Sequence, residues 1–435
     1  MIHPTSQLIV QQLLDYLNAS PTAYHATANA CRLLEEQGFR PLDEGEAWSL
    51  EPEKGYYVQR NQSALLAFRL GKQSSQHIAS QGFRIATAHT DSPAPKLKMH
   101  GAATVAGQLR VPVEIYGGLI HGSWLDRPLS VAGRVACTNA DTGGLALRRI
   151  DLRQPVAVIP NLAIHLGRDI NRSNEYNPQQ HLAALFGGVT PETLLLQICH
   201  AAQCGLGDLL DMDLLLYDSQ PATRCGIDGD LISSPRLDNL SSCHAALTAL
   251  LQTPPADAID VFFLADNEEV GSRSAQGAQS SFLRTTLERI TTCLKGTSED
   301  VFRALAHSAI VSVDSAHGLH PNYPEKHDSG YAPLLNHGVV IKSNASLNYS
   351  SNAATAAAFR NLCKRHQIPV QDFINRSDMP CGSTIGPTCS ALLGVPGVDI
   401  GTPLLAMHSC RELGGVDDHV SLIQALAAFF ETSAT

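Results

Sequence analysis

The chain has 435 residues, of which 44% are apolar and 17% charged, and its formal net charge is −10. Such a composition is typical of a globular protein with a large core. The acidic balance argues against a nucleic-acid partner, which requires a basic surface. No stretch of about 18 apolar residues occurs, so no membrane-spanning helix is expected. The 11 scattered cysteines include no Cys-x-x-Cys pair. They indicate free thiols in a reducing compartment, and we expect a cytoplasmic protein.

The first 82 residues are predicted to form two helices followed by strands. The first helix, rather than a signal peptide, is indicated by apolar residues at helical spacing: Leu8, Ile9, Leu13, Leu14 and Leu17. The second helix extends from about Ala23 to Gln37 and ends at Gly38, a residue favoured after a helix end. An apolar strand from Phe83 to Ala88 then leads directly into His89.

Residues 93–230 have a different character. Alternating apolar and polar residues, as in 109–115 and 129–132, are separated by the pairs Gly117-Gly118 and Gly143-Gly144. This pattern predicts mainly β-structure with hairpin turns, and one helix is expected near 191–202.

From residue 231 onward, predicted helices and strands alternate. Helices are expected over 238–251, 277–294, 351–366 and 416–430, and strands over 259–265, 309–313, 338–342 and 398–401. Alternation of this kind predicts an α/β domain with helices on both faces of the sheet. We therefore predict a mixed-sheet α/β/α domain, formed by 1–92 and 231–435. A β-rich insertion domain, 93–230, divides it in sequence.

Several His, Asp and Glu residues follow predicted strands, where α/β folds place their ligand sites. His89, Glu268-Glu269 and Asp314 each follow an apolar strand, His408 follows the apolar run 404–407, and Asp238 begins a helix. Two imidazoles and several carboxylates suit zinc or a similar divalent ion.

Each of these residues also has a structural interpretation. A single His or Asp after a strand is more often a hydrogen-bonded turn residue, and Asp238 can be a helix N-cap. Glu268-Glu269 is harder to explain structurally, because two adjacent acids after a buried strand repel each other unless a cation is near. Together the residues provide five plausible ligands and one spare carboxylate, as a two-metal hydrolase requires.

The spare carboxylate has a chemical use. Two metals polarise a carbonyl and activate a water, but a base must still accept the water's proton. Adjacent residues of an extended chain point in different directions, so only one of Glu268 and Glu269 is expected to be a ligand. Asp91 is a candidate to accept the second ring N–H of His89, as carboxylates beside ligating histidines usually do.

In these segments the sequence strongly resembles the aspartyl aminopeptidase family of di-zinc metallopeptidases. The similarity covers almost the whole chain. Among the matching segments are 88–93, 126–134, 236–240, 266–272, 314–317, 342–345, 379–387 and 407–412.

The resemblance implies a role for each candidate. His89, Asp238, Glu269, Asp314 and His408 would bind two Zn²⁺ ions per subunit, with Asp238 shared and one ion exchangeable for Mn²⁺ or Co²⁺. Glu268 would be the general base, and Asp91 would orient His89. The substrates would be peptides with free N-termini. The family also implies that the insertion domain pairs subunits and that the homo-oligomer is a dodecamer built from dimers.

His165 matches a histidine that the family uses in its active site, although it lies in the predicted insertion domain. A hydrogen-bonded structural residue and a metal ligand are both compatible with the sequence. We favour a substrate contact that is supplied to a neighbouring subunit, because five ligands already suffice for two zinc ions that each keep an open position.

Family positions associated with substrate binding match His317, Lys342 and Tyr349, and the cationic Lys342 predicts a preference for N-terminal Asp or Glu. The structural alternative for Lys342 is a solvated lysine at a strand end. The segment 382–384 precedes a predicted helix and either binds an anion or caps the helix. Two other functions remain open: a two-metal amidohydrolase that removes acyl groups from amino acids, and a non-catalytic shell protein stabilised by metals.

Overall fold

The computed structural model describes residues 4–71, 74–172 and 175–432. Residues 1–3, 72–73, 173–174 and 433–435, which the predicted domains include, lie outside the described residues. The α-helices in the described ranges are Pro4–Ala19, Ala23–Glu36, Ser74–Gln81, Pro178–His181, Pro191–Ala202, Leu237–Gln252, Phe282–Cys293, Ser298–Ala306, Ala353–Arg365, Ile385–Leu393 and Val416–Phe430. Over these ranges, none is long and apolar enough to cross a membrane.

A nine-stranded mixed sheet forms the centre of the fold. Its strands, in spatial order, are Arg40–Leu42, Gly55–Arg60, Ala64–Arg69, Ile259–Ala265, Phe83–His89, Ala309–Val313, Gly397–Gly401, Val339–Lys342 and Val370–Phe373. The four strands from Ile259–Ala265 to Gly397–Gly401 in this order are parallel. The strands Ala64–Arg69 and Val339–Lys342 are antiparallel to their neighbours in this parallel group. The parallel strands are buried along nearly their whole length because helices cover both faces.

The two faces of the sheet carry different hydrophobic cores. Because side chains alternate along a strand, Ala86 and Ala88 belong to one core and Phe83 and Ile85 to the other. The first core includes the two N-terminal helices and the last helix, Val416–Phe430. The structure confirms the predicted α/β/α layering.

A second group of sheets is built from the segment between His89 and Asp238. Five antiparallel strands are ordered Leu145–Asp151, Leu129–Thr138, Leu209–Asp218, Ala94–Leu97 and Val113–Tyr116. Three short strands form another sheet: Ala184–Leu185, Gln108–Val111 and Ala103–Val105. Apart from Cys410, the buried residues of their hydrophobic core come from positions 94 to 216. The helix Pro191–Ala202 has the bounds that the sequence predicts.

A further five-stranded sheet connects chain segments near the predicted site. Its order is Thr223–Cys225, Leu231–Ser234, Glu412–Gly415, Pro403–Leu405 and Ala316–His317. Leu231–Ser234 and Glu412–Gly415 are antiparallel neighbours. The pairing therefore holds the chain just before Asp238 beside the chain just after His408.

Two sequence predictions require correction. Leu8 is 62% exposed, whereas Ile9, Leu13, Leu14 and Leu17 are buried. Leu8 therefore lies outside the apolar face of the first helix. The helix predicted from Gly277 begins only at Phe282. The preceding Ser- and Gly-rich residues form turns, in one of which the Gly277 N–H donates to the Ser274 carbonyl at 3.2 Å.

Candidate active site

The parallel sheet brings the strand-end residues together. His89 is the last residue of Phe83–His89, and Asp314 directly follows Ala309–Val313, the neighbouring strand. Glu268 and Glu269 follow Ile259–Ala265, the neighbour on the other side. The carboxyl ends of these parallel strands lie at one edge of the sheet, as the sequence predicts.

Asp238 lies between two histidines. Its Oδ1 is 3.5 Å from His89 Nε2, and its Oδ2 is 3.5 Å from His408 Nε2. His89 Nε2 is also 3.6 Å from Asp314 Oδ1, and His408 Nε2 is 3.3 Å from Glu269 Oε2. One carboxylate thus faces two separate His–carboxylate pairs, His89 with Asp314 and His408 with Glu269.

Three buried carboxylates lie close together in the cluster, and they repel one another unless a cation is near. The side chains of Asp238 and Glu269 are 5% exposed and that of Asp314 is 9% exposed. Burial and then the charge of Asp238 hold the pKa of the Glu269 carboxyl well above its usual range. Asp238 Oδ1 is buried and accepts no hydrogen bond from the described residues.

Divalent zinc fits this donor set. Ligand atoms of His89, Asp238 and Glu269 all lie within 4.8 Å of one another. Imidazole nitrogens and carboxylate oxygens are common zinc ligands, and the orphaned oxygen of Asp238 has an otherwise uncompensated lone pair. The residues present therefore suit the ion, and Asp314 and His408 extend the set on either side.

The helix-cap interpretation of Asp238 is not supported. The helix Leu237–Gln252 has no side-chain N-cap bond, and Asp238 itself has non-helical backbone angles. A cis peptide bond joins Asp238 to Asn239. The side chain of Asp238 is turned toward the histidines instead.

The two adjacent glutamates lie in a 3₁₀ turn, Glu268–Val270, so the predicted extended conformation is wrong. The turn follows Asn267, whose φ of +61° reverses the chain at the strand end. Glu269 nevertheless faces His408, while Glu268 is not part of the cluster of ligand atoms within 4.8 Å. Burial raises the pKa of the Glu268 carboxyl to about 7. A carboxyl of this kind can accept and return a proton near neutral pH.

Asp91 contacts both His89 and the turn that carries Glu268 and Glu269. Its Oδ1 and Oδ2 accept the backbone N–H groups of Glu268 and Glu269, each at 3.1 Å. Oδ2 also accepts the Tyr116 hydroxyl at 2.7 Å. His89 Nδ1 is 3.4 Å from the Asp91 carboxylate and 3.1 Å from the Asp91 carbonyl oxygen. The predicted contact is present, but the shorter one is to the backbone.

Lys342 is buried, with 1% exposure, so the interpretation as a solvated lysine is wrong. Its Nζ donates to the Ser315 carbonyl at 3.0 Å and lies 3.9 Å from Asp314 Oδ2. The ammonium is also 5.0 Å from the centre of the buried Tyr349 ring. Enclosure of this kind orients a cation beside the cluster.

His317 shares the neighbour Phe373 with Tyr349, the ring beside Lys342. It is exposed and packs edge-on against Phe373, with ring centres 5.7 Å apart. His317 and His408 both line a cavity of about 340 Å³. Its other basic lining residues are His320, Lys326, His327 and Arg376.

His165 and the segment 382–384 lie outside the cluster of candidate ligands. His165 is exposed in a turn and is not among the residues that converge on Asp238 within one chain. Thr384 caps the helix Ile385–Leu393 by accepting the Gly386 N–H, which favours the cap interpretation of 382–384 over an anion site.

Sequence reasoning gave no role to Glu412 or Tyr116, which both hydrogen-bond within the site. Glu412 belongs to the matching segment 407–412, but neither spacing nor hydrophobic pattern distinguishes Glu412 or Tyr116 from ordinary core-facing residues. The pair Gly117-Gly118 predicts only a turn, yet the Gly118 carbonyl accepts the His408 Nδ1–H at 3.0 Å.

Known proteins match both the sequence and the fold. The model of the family "Aminopeptidase I zinc metalloprotease (M18)" matches residues 16–430. Two "Probable M18 family aminopeptidase 2" proteins, from Pseudomonas aeruginosa and Stutzerimonas stutzeri, are 45% and 44% identical to the chain. Each alignment covers 97% of this chain and 98% of the relative.

Solved structures of similar proteins have the same fold as this chain. The Ape4 chain in a complex with Nbr1 superposes with a TM-score of 0.94 at 35% identity, covering 99% of this chain and 87% of that one. The S. cerevisiae mApe1 dodecamer gives 0.86 at 28% identity, covering 99% and 97%. A Thermotoga maritima M18 aminopeptidase gives 0.88 at 22% identity, covering 99% and 97%, which supports the fold.

The fold and the donor set define a metallopeptidase of the mixed α/β/α class. The chain belongs to the aminopeptidase I zinc metalloprotease (M18) family. It is therefore a zinc-dependent aminopeptidase, a hydrolase that removes residues from peptide N-termini.

Proposed function

We propose that this aminopeptidase uses two zinc ions per subunit and prefers N-terminal Asp or Glu. The ions are assigned to His89, Asp238, Glu269, Asp314 and His408. The observation that carries the two-ion count is that the two oxygens of Asp238 face two different histidines, each at 3.5 Å. One ion is proposed to be exchangeable for Mn²⁺ or Co²⁺, which metal-replacement assays test directly.

Glu268 is assigned as the general base. When bound, zinc polarises the scissile carbonyl and lowers the pKa of water. A Glu268 carboxylate oxygen accepts the proton of the attacking water and returns it to the leaving amine. Asp91 holds the Glu268 backbone N–H and contacts His89, so it orients the base and one ligand together.

The acidic preference rests on Lys342. Lys342 Nζ is enclosed between Tyr349 and Asp314. A buried ammonium beside the reacting centre favours a carboxylate side chain over an apolar one, because the cation otherwise has a single carboxylate partner at 3.9 Å. The basic residues around His317 add positive potential at the same edge.

Hydrolysis of matched Asp-, Glu- and Leu-terminal peptides tests this preference. We expect a higher kcat/KM for Asp and Glu than for Leu. Faster cleavage of the Leu peptide than of both acidic peptides would contradict it. Nα-acetylated versions serve as the control, since an aminopeptidase needs a free α-amino group and an acyl-amino-acid amidohydrolase does not.

His165 is proposed to contact substrate in a neighbouring subunit. Its turn is flanked by the exposed apolar residues Leu162, Ile164 and Leu166, which are 56%, 45% and 77% exposed. Exposed apolar clusters commonly mark contacts between proteins. The mApe1 relative is a dodecamer. We propose a homo-oligomer for this chain, a dodecamer built from dimers, in which residues 93–230 form the insertion domain that pairs subunits.

Subunit complementation tests the shared site. His165→Ala and Glu268→Gln are each expected to be poorly active alone. Oligomers reassembled from a mixture of the two variants should regain activity, because a site with an intact Glu268 can then receive an intact His165. No recovery in mixed oligomers of confirmed composition would place His165 outside the neighbouring site.

A reducing compartment, the cytoplasm, is the proposed location. All 11 cysteines are free thiols in the structure, and six of them are buried. Cell fractionation tests this assignment, and recovery of the enzyme outside the cytoplasm would contradict it.

A further inference from the structure

Glu412 is a buried carboxylate that lies directly behind the candidate ligands. Its side chain is 3% exposed, and it begins the strand Glu412–Gly415. Oε1 accepts the His408 backbone N–H at 2.7 Å, and Oε2 accepts the Asp238 backbone N–H at 2.9 Å. One carboxylate therefore connects the backbones of two candidate ligands that are distant in sequence.

The His408 backbone needs such support. Its φ is +65°, in the left-handed region that non-glycine residues rarely adopt. The Glu412 contact holds the backbone N–H, and the Gly118 carbonyl accepts the ring Nδ1–H. Because the His408 backbone N–H and ring Nδ1–H are both hydrogen-bonded, the ring is oriented with Nε2 toward Asp238.

The arrangement parallels that of Asp91. Asp91 accepts two backbone N–H groups of the glutamate turn, and Glu412 accepts two from the other side of the site. A carboxylate suits this task because both of its oxygens are acceptors. An amide has only one acceptor oxygen. Its NH₂ group is a donor, so it cannot accept the second backbone N–H.

We propose that Glu412 is a positioning residue of the zinc centre, which fixes Asp238 and His408 at the separation that zinc requires. The inference rests on the proposed function, in which these two residues are ligands. Groups that hold metal ligands typically change metal affinity or activity by about 10–100-fold when they are replaced.

The test compares Glu412→Gln with a matched control in the full-length chain. Asp418 is also buried, and its carboxylate accepts the backbone N–H groups of Asn336 and Gly338 at 2.6 and 2.7 Å, away from the candidate ligands. Zinc affinity is measured by competition with a chelating dye, together with the Tm of the metal-free proteins.

Glu412→Gln should bind zinc about 10–100-fold more weakly than the wild type, and its zinc-saturated form should have a lower kcat with little change in KM. Asp418→Asn should lower the metal-free Tm and leave zinc affinity unchanged. Wild-type zinc affinity in Glu412→Gln would overturn the proposal. If the wild type itself binds no zinc, the proposed function fails instead.

Glu412→Asp covers the case in which Glu412→Gln does not fold. It keeps the charge but is one methylene shorter, so it cannot reach both N–H groups. Weaker zinc binding than in Asp418→Asn supports the positioning role, and equal binding overturns it. Failure of both Glu412 variants to fold would assign the residue to the fold and likewise overturn the proposal.

Discussion

Glu268→Gln is expected to retain zinc and to lose about 10²–10⁴-fold in kcat, the usual contribution of a general acid–base group. The amide matches the carboxyl in shape but cannot accept a proton from water. In the proposed assignment Glu268 is the base and the five ligands are other residues, so zinc binding should be preserved. Initial-rate assays of the hydrolysis of a peptide with an acidic N-terminal residue give kcat. Metal analysis of the same sample gives the zinc content.

Glu288→Gln is the matched control. Glu288 is a half-exposed residue of the helix Phe282–Cys293, paired with Arg284, and its replacement should leave both quantities unchanged. Near-normal turnover in Glu268→Gln would remove Glu268 from the role of base. Loss of zinc in that variant would make it a ligand instead.

Asp238→Asn is expected to lower both zinc content and turnover. The variant replaces the carboxylate that faces both histidines with a neutral group that keeps one acceptor oxygen. Zinc supplies several kcal/mol of charge stabilisation in the transition state, so turnover should fall by about 10²–10⁴-fold. Zinc analysis after dialysis and kcat at fixed added zinc provide the measurements.

Asp260→Asn controls for the loss of a buried carboxylate. Asp260 is paired with Arg69 at 2.6 Å, at the opposite end of the strand Ile259–Ala265. Its replacement should reduce stability, because the Arg69 charge loses its buried partner, but the zinc content should stay at the wild-type level. Normal zinc and turnover in Asp238→Asn would contradict the shared-ligand assignment.

The fold was predictable from the sequence where hydrophobic pattern determines structure. The buried strand Ile259–Ala265 and the helix Val416–Phe430 have the predicted bounds, because continuous apolar runs and helical spacing reflect burial directly. The convergence of His89 and Asp314 was also predictable, since their strands are parallel and carry them to one edge.

Other features depend on three-dimensional contacts that a pattern does not encode. The burial of Lys342 requires Tyr349 and the Ser315 carbonyl around its Nζ, whereas composition predicts an exposed lysine. Glu412 and Tyr116 acquire roles only through partners far away in sequence. The division of roles between Glu268 and Glu269 came from the resemblance, because adjacency alone leaves them equivalent.

Zinc per chain, measured alongside turnover in the wild type, Glu268→Gln and Asp238→Asn, tests the central claim most directly. We expect two zinc ions per chain in the wild type, the same content with little turnover in Glu268→Gln, and reduced values of both in Asp238→Asn. A single zinc ion per fully active wild-type chain, or full activity after all metal is removed, would contradict a two-zinc aminopeptidase centred on Asp238.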